Sequence, residues 1–247
     1  MPRHLLTIKY DGTNYAGWQV QPNAVTVQSV VQGALIDLFG EEGLGVSGCS
    51  RTDSGVHANM FCCHFDSNTS ISDERIPYAL NTRLPDDIRA IKCQTVADDF
   101  HARYSSKGKT YVYKIYNSAV ADPFKTKYYL QVVKRIDDIK LNKAAKAFEG
   151  THDFCGFCSS GSSVVDTVRT VYDCSVNRVQ DDIFISITAN GFLYNMVRII
   201  VGTLLEVDMG KINAEDLPDI ISSKERNRAG FTAKPHGLYL DKVHYDL

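Results

Sequence analysis

Apolar residues recur at helical spacing in three stretches of the chain. Val27, Val30, Val31, Ala34, Leu35 and Leu38 share one face of a helix over 27–39, with Thr26 as its N-cap and Gly40 as its stop. Leu141, Ala144, Ala145 and Phe148 predict a second helix over 138–148. Leu193, Met196, Val197, Ile200, Val201, Leu204 and Leu205 form the longest stripe, over 193–207. Weaker signals put helices near 73–82 and 214–222. Apolar, β-branched and aromatic runs predict strands at 5–10, 44–49, 60–65, 88–96, 110–116, 171–179, 183–188 and 237–245. Gln180-Asp181-Asp182 separates two of them as a hairpin turn.

This order is β-α-β-β-α-β, twice, which is the split βαβ or ferredoxin-like (RRM-like) motif. The expected fold class is α+β. Two such halves, residues 1–105 and 106–247, would join into one extended mixed or antiparallel sheet with helices on one face. The open face of so wide a sheet suits an extended ligand better than a small molecule.

Composition narrows the setting. The 247 residues are 44% hydrophobic and 23% charged, as in an ordinary globular protein. No apolar run approaches the ~20 residues of a membrane span. Met1-Pro2-Arg3-His4 runs into a strand without an apolar signal region, so a cytoplasmic location is expected. Seven cysteines is an odd count, and without an export signal a disulfide framework is not expected. The net charge of −2 means that any nucleic-acid binding must come from a local basic surface.

Several segments carry candidate chemistry. The loop from Gly48 to Ala58 packs Arg51, Thr52, Asp53 and His57 between two strands. Either it is a functional loop on a rigid scaffold or Asp53 simply caps a turn. From His101 to Ala121 there is no acidic residue, while Arg103, Lys107, Lys109 and Lys114 interleave with Tyr104, Tyr111, Tyr113 and Tyr116. Cations that meet phosphates beside rings that stack on bases suit RNA. The plainer reading is a strand with tyrosines in the core and lysines in water. Arg198 lies off the apolar stripe of its helix, and if partly buried it needs an anionic partner.

Two further patterns are set aside. Gly43-Leu44-Gly45-Val46-Ser47-Gly48 fits G-x-G-x-x-G, but it follows a helix, whereas the dinucleotide fingerprint opens one. Cys155-Gly156-Phe157-Cys158 is a lone C-x-x-C with His152 upstream. Structural zinc sites usually need a second such pair, so no metal is expected.

Arg51-Thr52-Asp53-Ser54-Gly55-Val56-His57-Ala58 resembles the R-T-D-A-G-V-H-A signature of the tRNA pseudouridine synthase I (TruA) family. Phe100-His101-Ala102-Arg103-Tyr104, Lys109-Thr110-Tyr111-Val112-Tyr113 and Phe192-Leu193-Tyr194-Asn195-Met196-Val197-Arg198 are similar to further segments of that family. So are Val201-Gly202, Arg228-Ala229-Gly230-Phe231-Thr232-Ala233, Gly237-Leu238-Tyr239-Leu240, Tyr10-Asp11-Gly12 and Gly17-Trp18-Gln19. The matches run in order from about residue 8 to 240. Ser54 stands where alanine is usual and Cys49 where alanine is common, and residues 158–165 fall where members vary.

The resemblance implies an isomerase that turns uridine into pseudouridine at positions 38, 39 and 40 of the tRNA anticodon stem-loop, working as a homodimer without a cofactor. It implies that Asp53 is the catalytic carboxylate. A free aspartate, with pKa ~3.9, is ionised at neutral pH, and a carboxylate can act as a covalent nucleophile. Attack on the sugar, attack on the uracil ring and removal of a sugar proton all remain open as its route. The target base must be flipped out to reach it. Arg51 would hold the displaced position, Tyr111 would stack on the uracil and Arg198 would pair with Asp53. Phe100, His101, Ala102, Arg103, Tyr104, Lys107 and Lys109 are the expected tRNA-binding residues. The alternatives are a paralogous pseudouridine synthase with another RNA target and a non-catalytic RNA-binding protein, although no RNP1-type aromatic signature is found.

Overall fold

The computed structural model describes residues 1–161 and 164–247; Ser162 and Ser163, within the 158–165 segment singled out above, lie outside the described residues. In chain order the first elements are β1 (Arg3–Tyr10), α1 (Val27–Phe39), β2 (Ser47–Gly48), β3 (His57–Asp66), α2 (Ile76–Asn81) and β4 (Ile88–Val96). There follow β5 (Gly108–Tyr116), β6 (Leu130–Gln131), α3 (Asp138–Ala145), β7 (Gly150–Asp153), β8 (Val168–Val179) and β9 (Asp182–Ala189). The last are α4 (Met196–Asp208), α5 (Leu217–Ser223) and β10 (Leu238–His244). The α+β reading holds. Among the described residues no helix is long and apolar enough to cross a membrane.

The chain forms two compact units: Met1–Lys107 with Tyr239–Leu247, and Gly108–Leu238. The boundary expected at 105/106 therefore lies at 107/108, and the final strand returns to the first unit. Non-local pairing is the reason. Tyr239 and Leu240 of β10 pair in parallel with His57 and Ala58 of β3. The Lys107 amide donates to the His244 carbonyl at 2.8 Å, and Asn59 Nδ2 donates to Asp241 at 2.8 Å.

In the first unit, β1 lies between β3 and β4, antiparallel to both. Short β2 and late-arriving β10 share the other edge of β3, at its far and near ends. β2 was expected over 44–49 but finds partners only at Ser47 and Gly48. Leu6, Ile8, Phe61 and Phe65 fill the core with Val27, Val31 and Leu35 of α1. Thr26 caps α1 through a reciprocal box with Ser29, and Gly40 stops it at φ 67°. The Gly43–Gly48 run leads from α1 into β2, as its rejection as a nucleotide fingerprint required. α2 is shorter than 73–82, because both Asp73 carboxylate oxygens are engaged by neighbouring residues and hold 73–75 in a turn.

In the second unit, β9 lies between β5 and β8, with β7 beyond β8 and β6 beside β5. Ile183, Ile185, Ile187 and Ala189 alternate inward along β9. α3 tightens into a 3-10 turn over Lys146–Phe148. α4 is buried on nearly every side, and it starts at Met196 rather than at 193 because Asn195 takes a left-handed conformation, φ 61°. α5 is preceded by a 3-10 turn over Ala214–Asp216.

Candidate active-site elements

The Asp53 loop leaves β2 and re-enters the sheet at β3, and the segment after β1 holds it from below. Tyr10 Oη and Thr52 Oγ1 share a buried hydrogen bond of 2.8 Å. The Trp18 amide donates to the Thr52 carbonyl at 3.1 Å, and the Val56 amide donates to the Asp53 carbonyl at 3.1 Å. That second bond closes a four-residue turn, in which Gly55 at φ 76° supplies the positive dihedral of the third position. Trp18 stacks on Phe61 with ring centroids 4.0 Å apart. Asp53 is half-buried and Arg51 exposed.

Both departures from the family pattern fit locally. Ser54 Oγ donates to the Tyr15 carbonyl at 3.2 Å. Cys49 is fully buried, and its Sγ accepts from the Cys62 amide at 3.4 Å. His57 is buried at the root of the loop, its ring stacked on Tyr239 at 4.7 Å. Its Nδ1 lies 3.0 Å from Asp11 Oδ1 and 3.1 Å from the Gly12 amide.

The 100–107 segment of the same unit divides into anchors and presented groups. Phe100 and Ala102 are buried. The Ala102 amide donates to His64 Nδ1 at 3.1 Å, and its carbonyl accepts from Tyr245 Oη at 2.5 Å. Arg3 Nη1 donates to the Phe100 carbonyl at 2.9 Å. Burial, with His101 and Arg3 nearby, lowers the pKa of His64 to about 4, so it stays a neutral acceptor. His101 packs against Tyr104 at 4.4 Å, and the Arg103 guanidinium lies over the exposed Tyr104 ring at 5.7 Å. Lys107 is exposed, 3.4 Å from Asp246.

In the second unit, Tyr111, Tyr113 and Ile115 line one buried face of β5, so the core reading of the tyrosines is right for that face. Tyr111 meets Phe192 edge-on at 4.9 Å. Tyr113 Oη donates to the Lys234 carbonyl at 2.7 Å, and burial pushes its pKa up. Lys109 shares the buried face and is only 6% exposed. Arg198 is half-buried, one turn into α4. Its Nε donates to the Ala233 carbonyl at 2.7 Å and its Nη1 to Asn195 Oδ1 at 2.6 Å. Both acceptors are neutral groups that orient the guanidinium. Gly202 lets the 229–233 segment lie on α4, since a β-carbon there would meet the Phe231 carbonyl oxygen at 1.7 Å.

The structure thus gathers Arg51, Asp53, His101, Arg103 and Tyr104 in the first unit, and Lys109, Tyr111 and Arg198 in the second. Residue types alone did not reveal the supporting roles of Tyr10, Tyr15, Trp18, Phe192, Asn195 and Tyr245. The Tyr10-Asp11-Gly12, Gly17-Trp18-Gln19 and Phe192–Asn195 matches were the available signal. Cys155 is exposed and Cys158 half-buried. Among the described residues they join no cluster of three metal-type donors.

The family described as tRNA pseudouridine synthase matches residues 6–105 and 144–246. The chain belongs to that family and is therefore an isomerase. A tRNA pseudouridine synthase A of a Thermoanaerobacter species (strain X514) is 50% identical over 98% of this chain and 98% of its own. The protein of that name from Ruminiclostridium cellulolyticum is 48% identical over 97% and 98%. Among solved structures, a Cbf5-Nop10-Gar1 complex matches 96% of this chain and 57% of that one at 11% identity, with a TM-score of 0.39. A likeness that low carries no argument.

Proposed function

We propose that this enzyme isomerises uridine at positions 38, 39 and 40 of the tRNA anticodon stem-loop, with the Asp53 carboxylate as nucleophile on a flipped-out base. The observation that carries the reading is the Asp53 loop itself. Its family signature is intact at Arg51, Thr52 and Asp53, and its backbone is clamped by Tyr15, Trp18 and a closed turn. A reacting group gains from being held in one geometry before the substrate arrives.

The reaction breaks the C1′–N1 bond and forms a C1′–C5 bond. The C5 proton is lost and N1 gains one, so no electrons leave and no redox carrier is needed. Arg51 fills the space left by the extruded base, Tyr111 stacks on the uracil, and Arg198 supports the charge of the site. Phe100, His101, Ala102, Arg103, Tyr104, Lys107 and Lys109 form the tRNA-binding segment, of which Arg103, Tyr104 and Lys107 meet the RNA. Phe100, Ala102 and Lys109 support it from below. A homodimer in the cytoplasm completes the proposal, and sedimentation at micromolar concentration tests the dimer.

The central test incubates unmodified anticodon stem-loop tRNA with wild type and with Asp53→Asn, then measures pseudouridine and binding. Product from wild type alone, with binding retained in the variant, supports the reading. Product from both removes Asp53 from the chemistry. No product from wild type at any tRNA uridine points to a different RNA substrate.

A further inference from the structure

Three donor groups converge in the first unit, away from the Asp53 loop. His4 on β1, Asp73 in the turn before α2 and Cys93 on β4 each place one metal-ligating atom within 4.8 Å of the other two. Sheet register explains the meeting. His4 lies opposite Thr95 on the antiparallel neighbour, and Cys93 is two residues from Thr95 on the same face. Asp73 is drawn to the same spot, with Oδ1 2.8 Å from His4 Nδ1. Its Oδ2 accepts from the Thr95 amide at 2.6 Å and from Thr95 Oγ1 at 2.8 Å.

Core packing alone does not account for this group. His4 is 6% exposed, stacked on Phe65 at 5.2 Å, and its Nε2 is buried with no hydrogen-bond partner. Folded proteins rarely leave a buried polar atom in that state. Cys93 is 5% exposed, whereas Asp73 keeps part of its side chain in solvent and opens a way in.

We propose that His4, Asp73 and Cys93 bind a borderline-soft divalent cation, zinc being the type. Imidazole, carboxylate and thiolate are its usual donors. In a tetrahedral zinc site such atoms stand about 3.2–3.6 Å apart, given bonds of about 2.0 Å to nitrogen and oxygen and about 2.3 Å to sulfur. The three atoms, all within 4.8 Å of one another, must shift to reach that spacing. Water takes the fourth position.

Binding converts the Cys93 thiol to thiolate and releases its proton to the buffer; the imidazole binds neutral and no electron moves. The cation must be thiophilic to displace that proton. The bound ion would clamp β1, β4 and the turn before α2 to one another.

The test strips the full-length protein with a chelator and titrates it with cobalt(II), then with zinc. Expected are one equivalent per chain, a thiolate-to-cobalt charge-transfer absorption, and a higher melting temperature with zinc. Cys93→Ser and His4→Gln abolish the absorption, Asp73→Asn weakens binding about tenfold, and Cys155→Ser/Cys158→Ser leaves it intact. X-ray absorption of zinc-loaded wild type serves if a variant fails to fold, with one sulfur and one imidazole in the metal shell. No saturable binding, a shell of nitrogen and oxygen alone, or an absorption lost with Cys155 and Cys158 instead of Cys93 overturns the proposal.

Discussion

Gly17 lies so close to Thr52 that a β-carbon on it would sit 2.4 Å from the Thr52 carbonyl oxygen, and its φ of 86° is one that L side chains rarely adopt. Gly17→Ala must therefore push the Asp53 loop away or strain the backbone, at about 1–3 kcal/mol. Pseudouridine formation is expected to fall further than the melting temperature predicts, because the displaced residue neighbours Asp53, the proposed nucleophile. An unchanged rate would show that the loop tolerates the shift.

Tyr10→Phe removes one partner of a buried 2.8 Å hydrogen bond and leaves the Thr52 hydroxyl to find another. A cost of about 1–3 kcal/mol is expected in urea unfolding. Tyr10→Phe with Thr52→Val should recover part of it, since neither hydroxyl is then stranded.

The depressed His64 pKa makes a pH prediction. Unfolded, His64 takes a proton near 6.5; folded, only near 4. Its contribution is fully present above about 6.5 and is lost as pH falls from there towards 4. The 2–3 unit gap on this buried ring corresponds to about 3 kcal/mol. His64→Gln keeps an acceptor for the Ala102 amide, so its stability should fall less between pH 6.5 and 4 than that of wild type. Equal slopes in chemical denaturation would remove His64 as the cause.

Arg198→Lys keeps the charge but cannot reproduce the two-point hold on Ala233 and Asn195. At least a tenfold loss of turnover is expected, about 1.4 kcal/mol of transition-state stabilisation, with little change in melting temperature. Full activity would show that charge alone suffices.

The cations of the basic segment separate by exposure. Arg103→Ala with Lys107→Ala should flatten the salt dependence of tRNA affinity by about 1.5–2 in log–log slope. The Lys107–Asp246 pair is too exposed to oppose this. Lys109→Ala, at a buried position, should lower stability and leave the slope nearly unchanged. A slope change confined to Lys109→Ala would reverse the assignment.

Local chemistry was legible in the sequence, and non-local pairing was not. α1 ran from its Thr26 box to left-handed Gly40 as its pattern required, because each signal sits within one turn of the residue it controls. The start of α4 was misplaced because Leu193 continues the apolar stripe while Asn195 breaks the backbone. The destination of β10 was hidden, because its parallel partner, β3, lies far back in the chain. Asp53, Arg51 and Arg198 stand out as site candidates only through ordered motif matches. The exposure of Lys107 and the half-burial of Arg103 against the burial of Lys109 depend on the path of the backbone, which composition does not carry.

The return of β10 also fixes an order of events during synthesis. All of the second unit is translated between β4 and the strand that pairs with His57 and Ala58. The stacking of Tyr239 on His57, at the root of the Asp53 loop, therefore has to wait until the second unit has emerged from the ribosome. A nascent chain holds its Asp53 loop without that brace until β10 has been made.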